Sequence, residues 1–300
     1  MVEILDSGIW VQHLGGGLEI GLRYAVLALG LSLIFNTLGV FNVAHGATYM
    51  LGAYAAGLVA ERFGFWPGLV VSPVLVGLLG LAIEALVLRR IYRGLPQLGL
   101  LFTFGLAVFL EQAIRIFVPP LPQPTAAPPV LSGSLAVGPF VYSKFGSFTI
   151  AASIAILGFL WWFLEMTSHG RVVRAAGRDP EMVRLLGLSV RPVLTAVFVL
   201  GIALAALAGA LAAPSSPLDP AMGNAALAAA FAAVVIGGLG SIWGAVLSGL
   251  LVGLVMGVAT AFWPQASEAS LYLLLLLVLM LPPQGTVRRA ALAAVRAVGR

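Results

Sequence analysis

The chain has 300 residues, 61% of them hydrophobic and 9% charged, with a mean hydropathy of +1.07. Soluble domains are about one-quarter charged, so this balance excludes a water-soluble globular protein. The lack of cysteine excludes disulfides, thiolate metal sites and cysteine nucleophiles. The net charge of +5 comes from arginine with one lysine, Lys144. These bases sit in short segments beside apolar runs, a pattern of membrane orientation and not of nucleic-acid binding.

Continuously apolar stretches near the length of a bilayer crossing recur along the chain and predict an all-α polytopic membrane protein, because lipid offers backbone groups no outside partner. Their lack of alternation argues against a β-barrel. Residues 1–19, with Glu3, Asp6, His13, Glu19 and the Gly15–Gly17 run, read as a surface helix or loop. No basic stretch precedes an apolar core there, so no cleaved signal peptide is expected. Spans are predicted over 20–38, 47–60, 68–88, 98–118, 148–166, 192–213, 221–240, 243–262 and 269–281. Segments 39–50 and 221–240 also fit half-helices or re-entrant pieces. The expectation is therefore a bundle of roughly eight to ten membrane helices with broken or re-entrant segments, in a single domain over 1–300. The proline-rich stretch 119–129 cannot be helical. With the residues up to Ser147 it makes an extended loop, or a hairpin across 135–150.

Placing the N-terminus outside puts 89–97, 169–191 and the tail 282–300 on the inner side. Those segments hold twelve of the 16 Lys and Arg residues and only two acids, Asp179 and Glu181. The outer segments carry more acid than base, so the positive-inside rule makes 169–191 and the tail cytoplasmic.

Loop 169–191 is the longest charged passage, with Arg171, Arg174, Arg178, Arg184 and Arg191. Asp179-Pro180-Glu181 reads as a helix start, with Asp179 as N-cap and proline at the first position, and Gly187 as its stop. Met182, Leu185 and Leu186 then lie exposed beside arginine, a pattern suited to docking in a partner's groove. An interfacial helix held by anionic lipid accounts for the same pattern.

Asn36, Asn42, His45 and Thr48 are costly to expose to hydrocarbon, so they should face the bundle interior or an aqueous path. Singly, each also fits a residue that satisfies loosened backbone at a helix end. Glu111 and Arg115, four apart, should pair. Glu84 and Glu165 lie where they can meet the basic loops. The Gly237–Gly244 run is not a phosphate loop, since a Walker loop needs a lysine there. It reads as a tight turn between close helices. Glycine and alanine at four-residue spacing, as at Gly249, Gly253 and Gly257, predict close helix packing. No catalytic constellation and no metal-ligand spacing appear.

Three segments carry a resemblance: Leu38–Tyr54 with its Asn-Val-Ala-His-Gly, Gly170–Gly187, and Val235–Val246 with Gly-Gly-Leu-Gly-Ser. In order and spacing they resemble the branched-chain amino acid permeases of ATP-binding-cassette importers, LivH type, over nearly the whole chain. The resemblance implies a multi-pass subunit of the bacterial inner membrane without an ATPase site or cofactor of its own. It implies four kinds of neighbour: a second, LivM-like permease, two cytoplasmic ATPase subunits, a periplasmic substrate-binding protein, and membrane lipid. It places ATPase coupling on Arg174, Arg178, Asp179, Glu181, Met182, Arg184, Leu185, Leu186 and Gly187, although the loop lacks the full Glu-Ala-Ala signature of other importer classes. A translocation path near Asn36, Asn42, His45, Thr48 and Asn224 follows from polar placement together with that likeness. Leucine-like amino acids, other amino acids, urea and short amides are all compatible as cargo. An ion-coupled secondary transporter is the rival; it would need an intramembrane carboxylate, for which Glu111 is the candidate.

Overall fold

A chain this apolar must close its backbone hydrogen bonds within its own helices. The computed structural model describes residues 7–91, 96–118, 125–137 and 140–280. The helices are α1 (Ser7–Leu38), α2 (Ala44–Phe63), α3 (Phe65–Ile91), α4 (Pro96–Phe117), α5 (Lys144–Met166), α6 (Ser168–Arg178), α7 (Pro180–Leu185), α8 (Val190–Ala212), α9 (Met222–Gly237), α10 (Ile242–Phe262) and α11 (Ser267–Met280). Among the described residues, six are long and apolar enough to cross a membrane: α1, α3, α4, α5, α8 and α10. Helix α2 has 20 residues but is diluted by His45, Thr48 and two tyrosines. Helix α9, at 16 residues, is about 24 Å long, short of the ~30 Å hydrocarbon thickness. The tail 282–300 lies outside the described residues, as do 1–6, 92–95, 119–124, 138–139 and 281.

Helix α1 forms the axis of the bundle. Leu27, Leu29, Leu31 and Leu33 are all buried, and α5, α8, α9 and α10 pack around it. The sequence predicts a separate surface piece over 1–19, but α1 runs unbroken from Ser7 through the Gly15–Gly17 run. The reason is packing. Gly17 and Gly21 lie against the backbone of Gly253, Gly257 and Leu250 on α10, and a Cβ at Gly17 would come within 2.8 Å of the Gly253 carbonyl oxygen. The α10 glycines thus form the close interface their spacing predicts. On the other side, Gly201 of α8 meets Gly30, and Gly209 meets the backbone of Tyr49.

The hairpin expected across 135–150 is present but shorter: β1 (Ser134–Val137) pairs antiparallel with β2 (Phe140–Ser143). Ser143 then caps α5 by accepting from the Gly146 amide at 3.3 Å. The Tyr142 hydroxyl donates to the Gly15 carbonyl (2.9 Å) and the Glu19 carboxylate (3.2 Å), which ties the hairpin to α1. Burial and the adjacent Glu19 carboxylate push the Tyr142 phenol up. Outward-facing residues of α4 and α11, such as Leu101, Phe109, Leu273 and Leu277, remain exposed, as lipid-facing helices should.

Candidate functional site

Helix α1 ends where Gly39 takes a left-handed conformation (φ 68°) and its amide caps the Phe35 carbonyl. The chain then turns back along α1. Phe41 stacks on Phe35 at 4.3 Å, and His45 Nε2 donates to the Leu27 carbonyl at 3.0 Å. Leu27 lies eleven residues before Leu38, the end of α1, or about 16 Å of helix rise. Helix α2 therefore starts deep within the bundle and not at its rim. Thr103 of α4 secures the break: its hydroxyl accepts from the Val43 amide (3.2 Å) and lies 3.1 Å from the Leu100 carbonyl it donates to.

Asn42 and His45 are both buried, at 3% and 0% exposure. Among the described residues, neither side-chain amide atom of Asn42 has a partner, and His45 Nδ1 has none. Because Nε2 spends its hydrogen on Leu27, Nδ1 of the neutral ring is an unfilled acceptor. Thr48 is satisfied by the His45 carbonyl at 2.8 Å. The first turn of α9 meets the first turn of α2 at this depth, with the backbones of Gly46 and Gly223 in direct contact.

The five expected path residues do not form one cluster. Asn42, His45 and Thr48 share the start of α2. Asn36 lies near the C-terminal end of α1, bonded to Ser32 at 3.3 Å, where Gly177 of α6 approaches its carbonyl. Asn224, next to Gly223, donates to Glu111 at 3.0 Å. Glu111 pairs with Arg115 at 2.7 Å, as their spacing predicts.

The charged loop folds as expected. Asp179 accepts from the amides of Glu181 (3.1 Å) and Met182 (2.9 Å), and Gly187 has φ 78°. Val183 packs inward on Ala176 and Val190, which turns the rest of α7 outward. Leu185, Leu186 and Met182 are 80%, 71% and 54% exposed. Arg178, Glu181 and Arg184 are exposed beside them. Arg174 differs from the others in facing the bundle. It pairs with Glu165 at 2.8 Å and donates to the Leu164 carbonyl, while Trp243 Nε1 donates to Glu165 at 3.0 Å. This link from α6 to α5 and α10 was legible only in part: Glu165 stood out as a carboxylate near the basic loop, whereas Trp243 and Thr103 gave no sequence signal beyond a polar atom in an apolar run.

Fold and site define a polytopic helical membrane protein whose second helix starts mid-bundle and whose basic arm presents an apolar ridge. The chain belongs to the branched-chain amino acid transport system / permease component family, whose profile matches residues 14–281. It is 30% identical to the high-affinity branched-chain amino acid transport system permease protein BraD of Pseudomonas aeruginosa, over 93% of this chain and 96% of that protein. It is 29% identical to the permease protein LivH of Escherichia coli over the same shares. The fold is similar to that of PsaBC from Streptococcus pneumoniae, solved in complex with Fab, with TM-score 0.54 and 15% identity over 97% of this chain and 99% of that one. The protein is a multi-pass inner-membrane permease subunit of an ATP-binding-cassette transporter.

Proposed function

We propose that this chain passes branched-chain or related amino acids inward by alternating access, as one of a permease pair. The pair works with two ATPase subunits that hydrolyse the ATP and a periplasmic protein that delivers cargo. Support for the cargo comes from the names of the relatives. Support for the route comes from the unsatisfied edges of Asn42 and His45, where α2 and α9 begin. A buried polar group without a partner costs about 1–3 kcal/mol, and a passing polar solute would fill that need. Asn36 and Asn224 mark the inner and outer approaches. On the inner side, the ridge of Met182, Leu185 and Leu186, flanked by Arg178 and Arg184, docks the ATPase. Glu111, the carboxylate an ion-coupled mechanism would need, is already held by Arg115 and Asn224.

The test is uptake of labelled leucine by the assembled transporter in proteoliposomes. Asn42→Ala should lower uptake at least tenfold while leaving assembly intact and thermal stability equal or higher, because it removes an unpaired buried amide. Unchanged uptake would remove Asn42 from the route.

A further inference from the structure

Arg89 and Arg191 stand at the cytoplasmic end of an open groove of about 680 Å³ between α3 and α8. Pro192, Ala196, Val199 and Ala203 line it on α8, at helical spacing, and Leu81 faces them from α3. Small side chains at 192, 196 and 203 make the concavity, which follows the helix for about 16 Å, the scale of an acyl chain. The polar end is not neutral. Arg89 gives its charge to buried Glu84 at 2.9 Å, and Thr195 joins that pair by donating to Glu84 at 3.0 Å. Arg191 has no acidic partner among the described residues. An adjoining cleft of about 240 Å³, also bordered by Arg89 and Arg191, adds Arg184, which likewise has none. Three guanidinium groups thus surround one carboxylate where the apolar wall meets the inner interface.

We infer that the α3–α8 groove binds an anionic phospholipid of the cytoplasmic leaflet, its phosphate on Arg191 and Arg89 and an acyl chain along Ala196–Ala203. The chemistry favours lipid over another protein surface. A guanidinium forks onto phosphate oxygens, basic pockets between membrane helices select anionic headgroups, and this pocket continues directly into the apolar groove. The groove and its two phosphate ligands, Arg89 and Arg191, are separate from the Asn42–His45 region and from Met182, Leu185 and Leu186, while Arg184 borders both the cleft and that ridge.

The experiment uses the purified full-length chain, stripped of lipid in detergent, with dioleoylphosphatidylglycerol and dioleoylphosphatidylethanolamine as probes, read by native mass spectrometry and thermal shift. Phosphatidylglycerol should bind preferentially and raise the melting temperature. Arg191→Gln should weaken that binding roughly fivefold, the worth of one arginine beside an anionic surface. Ala196→Trp, which fills the groove from an exposed position, should abolish retention of the lipid with the melting temperature of the stripped protein unchanged. Arg62→Gln, at the other end of the bundle, should change nothing. Equal binding of the two lipids would overturn the site, as would normal binding by Ala196→Trp or an Arg191→Gln effect no larger than that of Arg62→Gln. An equal shift from inorganic phosphate alone would also overturn it, by showing a soluble-anion site. So would a photo-crosslinker at position 196 that captures polypeptide instead of lipid in the assembled transporter.

Discussion

At Gly46 the backbones of two helices touch. A Cβ there would overlap the carbonyl of Gly223 and stand 2.7 Å from the Leu227 Cβ, so α2 and α9 would have to part. Such overpacking typically costs about 1–3 kcal/mol. Gly46→Ala should therefore lower the melting temperature of the detergent-solubilised protein by several degrees. Gly16→Ala is the matched control. Among the described residues nothing lies within 4 Å of a Cβ at Gly16, and alanine is the better helix former, so its melting temperature should hold or rise. Both glycines are legible in the sequence as small residues, yet nothing local separates the one in contact from the one in open space.

Among the elements, α6 has the most consequential setting. Its arginines look alike in the sequence, but Arg174 turns inward to Glu165, and Trp243 holds that carboxylate from α10. The basic arm is thereby tied to α5 and α10, and through α10 to the glycine interface with α1. Glu165→Gln keeps an acceptor for the Trp243 indole and loses the charge that holds Arg174. Amide exchange over 168–178 should then quicken several-fold, with α8 unaffected, as local opening of one element requires. Unaltered protection in α6 would show that the ion pair, about one-third exposed on each side, does not hold the arm. Arg174 is accordingly a positioning residue for the arm, whereas Arg178 and Arg184 have no carboxylate partner among the described residues.

For the molecule as a whole, the sides of the membrane follow from charge. The basic arm, Glu84–Arg89 and the arginine-lined cleft gather at one end of the bundle. The hairpin and Glu19 gather at the other. Because the native chain contains no cysteine, Met182→Cys gives a single label site on exposed α7. An impermeant maleimide should modify it in inside-out vesicles and not in intact cells. Labelling from the outside would reverse the orientation and, with it, the docking of an ATPase.

Composition alone decided the class of molecule, since a chain this apolar can satisfy its backbone in lipid only as helices. Charge placement predicts its sides, because arginine near a crossing resists translocation, and the Asp179–Gly187 helix was legible because capping is local chemistry. Depth was not legible. That α2 begins opposite Leu27, that Gly17 belongs inside a helix, and that Asn42 is left without a partner all depend on contacts between segments far apart in the chain. Only the packed bundle sets those contacts, because hydropathy records how much a residue avoids water and not which neighbour it meets.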